Sequence, residues 1–179
     1  MSGRASRPPK RVLIVDGYNV INARRQVAGA QALADARDAL VSELQNYAGY
    51  SGQRIILVFD AWMNGRTQES VEETANVQVV YTQKGEIADR YIERLCDELA
   101  EDVSLRRAEV RVATSDALEQ TIVLGRGATR ISSRELLREM QEVRTGSRAL
   151  QEPKKHRATV GERLDPEVLR RLRGIGEDD

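Results

Sequence analysis

Short apolar runs alternate with longer amphipathic stretches between residues 11 and 143. Residues 12–15 are continuously apolar and largely β-branched, and Asp16 follows them directly. Such a run is typical of a strand that is buried on both faces of a parallel sheet. A similar run predicts a strand at residues 54–60, and an alternating pattern predicts one at residues 76–82. Further strands are predicted at residues 109–113 and, as a short edge strand, at residues 128–131.

The stretches between these strands have apolar residues at helical spacing. The first predicted helix covers residues 30–48, and Gly49 is expected to be its C-cap. Strands that alternate with helices indicate an α/β fold around an open, mainly parallel sheet of four to five strands. Residues 61–74 are predicted to form a polar loop. The remaining predicted helices cover residues 86–100, 117–124 and a stretch from Ser132 or Ser133 through Val143.

Length and composition restrict the possible classes of protein. The chain has 179 residues, a length that suits one domain with a tail. Its 28 basic and 28 acidic side chains balance, so no overall positive electrostatic field marks it as a nucleic-acid binder. The single cysteine, Cys96, cannot form a disulfide within the chain, which indicates a reducing compartment such as the cytoplasm.

Neither a membrane span nor a secretory signal is expected. No apolar segment approaches the ~20 residues that a transmembrane helix needs, and residues 1–10 read as a disordered basic lead-in without an apolar centre. We therefore expect no membrane partner. His156 is the single histidine and lies in a late charged segment, so carboxylates must carry any chemistry.

Aspartates follow three of the predicted strands, and a fourth opens a helix. The carboxyl ends of parallel strands meet at one edge of a sheet, where ligands usually bind, so these side chains are expected to cluster. Converging carboxylates repel one another unless a cation neutralises them, and hard oxygen ligands suit Mg²⁺ or Mn²⁺. The predicted metal and catalytic residues are Asp16, Asp60, Asp89 and Asp116.

Three of the acidic residues also have a simpler interpretation. Asp16 could be a solvated turn residue, Asp116 could cap the short helix after it, and Glu93 could pair with Arg90 or Arg94. Trp62, in the polar loop, is as well explained by packing as by base stacking. The neutral groups expected to orient ligands or bind phosphate are Asn19, Thr114 and Ser115, and Arg66 in the loop is a further substrate-binding candidate.

The composition changes after residue 143. Residues 144–173 contain nine basic and four acidic side chains, and the Asp165-Pro166 pair is expected to open a short helix. We interpret residues 144–179 as a basic arm that follows a domain at residues 11–143, although a solvated tail is the alternative. The arm residues predicted to bind substrate are Lys154, Lys155 and Arg157.

Five motifs together resemble the YacP-like branch of the NYN domains, which are relatives of the PIN-domain nucleases. In order they are VDGYNVI (15–21), VFDA (58–61), EIADRYIE (86–93), ATSD (113–116) and RISSRELLREM (130–140). The resemblance covers residues 11–143 and implies a three-layer α/β/α PIN-like fold with metal-dependent endoribonuclease activity. RNA, and mRNA in particular, would be the substrate.

The resemblance also implies roles for individual residues. Asp16 and Asp89 would be the principal metal-binding and catalytic acids, with Asp60 and Asp116 completing the cluster, while Tyr18 and Asn19 belong to the motif that gives the domain its name. A bacterial member of the family is a ribosome-associated endoribonuclease that cuts mRNA during translation. Whether this chain requires the ribosome is left open, because its basic arm matches the family in character more than in sequence.

Three other functions compete with a nuclease. A phosphatase of the haloacid-dehalogenase type needs a second aspartate two residues after the first, where this chain has Tyr18. A nucleotide-binding Rossmann domain is poorly supported, because no glycine-rich phosphate loop follows the first strand. A non-catalytic RNA- or ribosome-binding module with a relict acidic site stays open, since the sequence does not establish metal binding.

Overall fold

The structure is a computed structural model, and it describes residues 11–24, 29–61, 68–103, 105, 108–115 and 127–151, without the side chains of residues 30 and 147–151. The helices and strands are β1 (Arg11–Asp16), α1 (Gly17–Arg24), α2 (Ala30–Ser51), β2 (Arg54–Phe59), β3 (Ser70–Thr74), β4 (Val77–Tyr81), α3 (Ala88–Glu101), β5 (Glu109–Ala113), β6 (Thr129–Ile131) and α4 (Ser133–Gln151).

The six strands form one sheet in the order β3-β4-β2-β1-β5-β6. Every neighbouring pair is parallel except β3 and β4, which are antiparallel. The central strand β1 is paired on both sides, with Val15 opposite Leu57 of β2 and Ala113 of β5. This position explains the continuous apolar run, because a central parallel strand has both faces covered, and in β1 every residue after Arg11 is buried.

Helices cover both faces of the sheet. On one face, Val12 and Ile14 of β1 pack in a core that contains Ile92 of α3 and the buried Cys96. On the other face, Leu13 and Val15 belong to a core with apolar residues of α1, α2 and α4, namely Val20, Ile21, Leu40, Leu44, Leu136 and Met140. The predicted three-layer α/β/α architecture with a mainly parallel sheet is confirmed.

Two elements were not predicted. β3 (Ser70–Thr74) lies in the predicted polar loop and brings the sheet to six strands instead of four or five. Four of its five residues are exposed and two are glutamates, so it shows no apolar alternation. Its antiparallel pairing with β4 defines it instead. α1 begins at Gly17, directly after β1, where the sequence indicated only a turn.

Two predicted helix ends were wrong. α2 continues through Gly49 and ends at Ser51, because Gly52 is the residue in the left-handed conformation (φ 66°) and donates its N–H to Ala48 O. A glycine inside a helix costs about 1 kcal/mol, which packing of the helix can outweigh. α4 extends to Gln151 rather than stopping at Val143, so it runs into the predicted basic arm.

The chain separates into two compact units, residues 1–144 and residues 145–179. In the second unit, the described residues are 145–151, and they are helical. The predicted helix at 117–124 and the arm from residue 152 onward lie outside the described residues. None of the four helices described has the length and apolar character needed to cross a lipid bilayer.

Candidate functional site

The candidate site lies at the carboxyl ends of three adjacent parallel strands. Asp16 ends β1, Asp60 follows the last residue of β2, and Thr114 follows the last residue of β5. Because the sheet order is β2-β1-β5, Asp16 is the central member of this row. Its side chain is only 7% exposed, and its Oδ1 accepts a hydrogen bond from the backbone N–H of Asn19 at 3.0 Å.

Asp16 has an unusually high pKa for an aspartate. Burial is the main cause, and the negative charges of Asp89 and then Asp60 add to it, so that the pKa rises to about 6 although the hydrogen bonds from Asn19 oppose the shift. The structure therefore brings three of the four predicted carboxylates within electrostatic range of one another. Asp89, in the first turn of α3, acts on Asp16 more strongly than Asp60 does.

Asn19 joins the ends of two strands. Its Nδ2 donates a hydrogen bond to Oγ1 of Thr114 at 3.4 Å, while its backbone N–H holds Asp16. Thr114 is fully buried, and its own N–H donates to the carbonyl of Ile131 on β6 at 3.1 Å. Ser115, the next residue, is exposed and adjoins the same edge of the sheet.

Tyr18 is held by contacts with two side chains, those of Phe59 and Arg37. Its ring lies 5.2 Å from that of Phe59, which stacks in turn on Tyr81 at 5.5 Å. Its hydroxyl oxygen accepts a hydrogen bond from Nη1 of Arg37 at 3.1 Å. Partial burial raises the pKa of Tyr18, although the Arg37 charge opposes the shift. Arg37 carried no sequence signal beyond its place in an amphipathic helix.

Thr82 is a second contributor that sequence reasoning missed. Its buried hydroxyl accepts the N–H of Ala61 at 3.0 Å and donates to the carbonyl of Glu86 at 2.7 Å. Ala61 is the neighbour of Asp60, and Glu86 lies three residues before Asp89. Thr82 thus ties together the two backbone segments that carry these acids.

Of the remaining candidate residues, Glu93 lies within the described part of the chain. Arg94 makes ion pairs with Glu69, Glu86 and Glu98, and Glu93 lines an open groove beside α3. The other candidates lie outside the described residues, and these are Asp116, Trp62, Arg66, Lys154, Lys155 and Arg157.

The described residues do not form a three-ligand group for a metal ion. Among them, no three histidine, cysteine or acidic side chains are grouped so that they could hold a metal ion. Mg²⁺ usually binds through one or two carboxylates and completes its shell with waters and substrate phosphates. The chemistry of Asp16 and Asp89 fits that pattern, because hard carboxylate oxygens that repel one another gain from a shared cation.

Comparisons with known proteins identify the family of the chain. The family model for the YacP-like NYN domain matches residues 13–177. The chain is 39% identical over 134 residues to the uncharacterized protein YacP of Bacillus subtilis (strain 168). The aligned region covers 74% of this chain and 76% of the relative.

Two crystal structures of Rae1 (YacP) from Bacillus subtilis share the PIN-like fold. One superposes with a TM-score of 0.64 at 33% identity, covering 92% of this chain and 93% of the other. A mutant form gives a TM-score of 0.61 at 32% identity, covering 94% and 84%. The match extends past residue 143, where the resemblance read from the sequence stopped. The chain belongs to the YacP-like NYN family.

Proposed function

We propose that this protein is a metal-dependent endoribonuclease that hydrolyses RNA phosphodiester bonds. The observation that carries the proposal is the buried Asp16, whose pKa is raised to about 6 by burial and by the charges of Asp89 and Asp60. Groups with strongly perturbed pKa values that share a site are candidates for function. Membership in a family related to PIN-like nucleases supports the same chemistry.

In this proposal Asp16 and Asp89 hold a Mg²⁺ or Mn²⁺ ion, and Asp60 and Asp116 complete the acidic cluster. Such an ion holds the scissile phosphate and lowers the pKa of the attacking water. Asn19 fixes the orientation of the Asp16 carboxylate through the 3.0 Å hydrogen bond. The exposed Ser115 and the half-buried Tyr18 stand at this edge as candidate contacts for the RNA backbone.

RNA, and mRNA in particular, is the proposed substrate, and the ribosome is a proposed partner in the cytoplasm. The family resemblance supports both, and so does the excess of basic residues from residue 144 onward, with Lys154, Lys155 and Arg157 as proposed phosphate contacts. Arg66, in the segment after β2, is a further proposed contact.

One observation supports an alternative function. Because the described residues include no three-ligand metal group, a non-catalytic RNA- or ribosome-binding module with a relict acidic site is the alternative. The two functions differ in what they require of a divalent ion. A nuclease needs the ion to cut, whereas a binding module holds RNA equally well without it.

Cleavage of labelled RNA separates the two. Purified full-length protein should cut both a linear and a circular single-stranded RNA in Mg²⁺ or Mn²⁺, stop in EDTA, and resume when metal is restored. Cutting of the circle identifies an endonuclease. RNA that is bound but left intact under every metal condition would select the binding module.

A further inference from the structure

A groove at the outer edge of the sheet is separate from the carboxylate site. It lies between β6 and α4 and has a volume of about 260 Å³. Three arginines and two glutamates line it, so its charged lining carries a net positive charge. These residues are Arg111, Arg130, Arg138, Glu135 and Glu139.

Both glutamates in the groove are already held by other groups. Glu139 accepts hydrogen bonds from the Arg111 guanidinium at 2.7 and 3.2 Å and from the Tyr47 hydroxyl at 2.7 Å. Glu135 accepts the backbone N–H of Ser132 at 2.8 Å, while its own N–H donates to Ser132 Oγ at 3.2 Å. This reciprocal pair is a capping box that begins α4.

The other two arginines retain unused donors. The Nε of Arg130 is buried and has no hydrogen-bond acceptor among the described residues. Arg138 is exposed, and the described part of the chain gives it no ion pair, although Glu135 attracts both guanidinium groups electrostatically. A buried donor without an acceptor destabilises the native state, and an anion bound in the groove would supply the acceptor.

The groove is connected to the strand ends that carry the site. Ile131, in its lining, accepts the backbone N–H of Thr114 at 3.1 Å, and Thr114 is the partner of Asn19. Because the sheet order is β1-β5-β6, β6 is the next strand beyond β5 on the side away from Asp16. Arg134, four residues before Arg138 on α4, adds a further exposed positive charge on the same helix.

We propose that the β6–α4 groove binds a backbone phosphate of the RNA strand away from the scissile bond, with Arg130 and Arg138 as the binding residues. The proposal rests on the proposed function in taking RNA as the substrate. A guanidinium group matches phosphate because its planar donors bind two oxygens at once. The volume, below the roughly 300 Å³ at which small-molecule pockets begin, suits a phosphate and part of its sugar better than a whole nucleotide.

The test is binding of a labelled single-stranded RNA to the full-length protein in EDTA across a salt series. Arg130→Gln with Arg138→Gln should weaken binding and lower the slope of log affinity against log salt by about 0.7 for each phosphate that the protein no longer neutralises. The matched control is the double variant Arg11→Gln with Arg54→Gln. It removes the same charge at the amino ends of β1 and β2, opposite the strand ends that carry the candidate site. The control should change affinity and slope less.

Equal affinities and slopes in the two double variants would overturn the proposal. If the Arg130 variant unfolds, Arg138→Gln alone, on the helix surface, carries the test. A second measurement is the Tm of the parental protein and of the variants in inorganic phosphate. If phosphate raises the Tm only when Arg130 and Arg138 are present, and these residues do not affect RNA binding, the groove binds a free anion instead. Because RNA binding is measured without metal, a groove that does not bind RNA can be distinguished from a protein that does not cleave RNA.

Discussion

A Cβ atom on Gly17 would lie 2.3 Å from Cε1 of the Phe59 ring. Phe59 is fully buried at the end of β2, and Gly17 begins α1 directly after Asp16, so the ring and the backbone of the site share one tightly packed space. Gly17→Ala should therefore destabilise the protein by about 1–3 kcal/mol, the usual cost of overpacking. Urea unfolding measures this destabilisation.

The same contact predicts a rescue. Phe59→Leu removes Cε1 and Cζ, two of the three ring atoms that the new methyl group would meet. The double variant with Gly17→Ala should therefore lose less stability than the sum of the single variants, with a coupling of about 0.5–3 kcal/mol. Strict additivity would show that the Phe59 ring moves aside freely and that the glycine is needed for another reason.

Thr82→Val should destabilise the protein and lower its activity. The change keeps the size of the side chain but leaves the N–H of Ala61 and the carbonyl of Glu86 without their partner, at a cost of about 1–3 kcal/mol for each buried group. Thr74→Val, on the exposed β3, is the matched control. If both variants unfold at the same urea concentration, Thr82 does not fix these segments.

Glu139 should make stability depend on pH in the acid range. Partial burial opposes its ionisation, but hydrogen bonds from Arg111 and Tyr47 outweigh burial and lower the pKa of Glu139 below its ordinary value. A lowered pKa favours the native state above the unfolded pKa of about 4.3, and this stabilisation is lost as the pH falls through the folded pKa.

The variant Glu139→Gln isolates that contribution. It should be less stable than the parental protein at pH 7, and the difference should shrink as the pH is lowered below about 4. Glu109→Gln, at an exposed glutamate at the start of β5, is the matched control. A difference in stability between the parental protein and Glu139→Gln that stays constant from about pH 7 to about pH 3 would contradict the assignment.

The sequence predicted the strands that have a clear apolar pattern. This pattern is continuous in β1 and β2 and interrupted by polar residues in β4 and β5. The positions of Asp16 and Asp60 follow because parallel strands end at one edge. β3 was missed because its pairing with β4, rather than an apolar pattern, makes it a strand. Arg37 and Thr82 were missed because their roles depend on contacts with residues distant in the sequence.

Divalent metal should stabilise the metal-free protein. An ion that binds the native carboxylates and not the unfolded chain adds about 2.7 kcal/mol at 100 times its Kd. The shift in Tm with Mn²⁺ or Mg²⁺ should disappear in Asp16→Asn, whose metal-free form should itself be more stable because a buried charge is removed. An unchanged Tm up to saturating millimolar metal would favour the binding module.

Removing the basic arm should weaken RNA or ribosome binding while the core stays folded. The truncation belongs after Gln151, where α4 ends, because a cut after Val143 would remove part of the helix. The shortened protein should still bind metal and should show a flatter salt dependence, by about 0.7 for each phosphate of a single-stranded RNA that the arm had neutralised. Equal affinity and slope in the full-length and shortened proteins would make the arm a solvated tail.

The most direct test of the central claim is single-turnover cleavage of one labelled RNA by Asp16→Asn and Asp89→Asn at saturating Mn²⁺. The control is Asp97→Asn, which removes the same charge from an exposed position on the same helix as Asp89. Each 1.4 kcal/mol of lost transition-state stabilisation lowers the rate tenfold, and a metal ligand contributes several kcal/mol. The rate should therefore fall about 100-fold or more in both site variants, while their circular dichroism is unchanged. Asp97→Asn should cut at the parental rate. Cleavage by folded Asp16→Asn and Asp89→Asn at the rate of the Asp97→Asn control would contradict a carboxylate-centred nuclease.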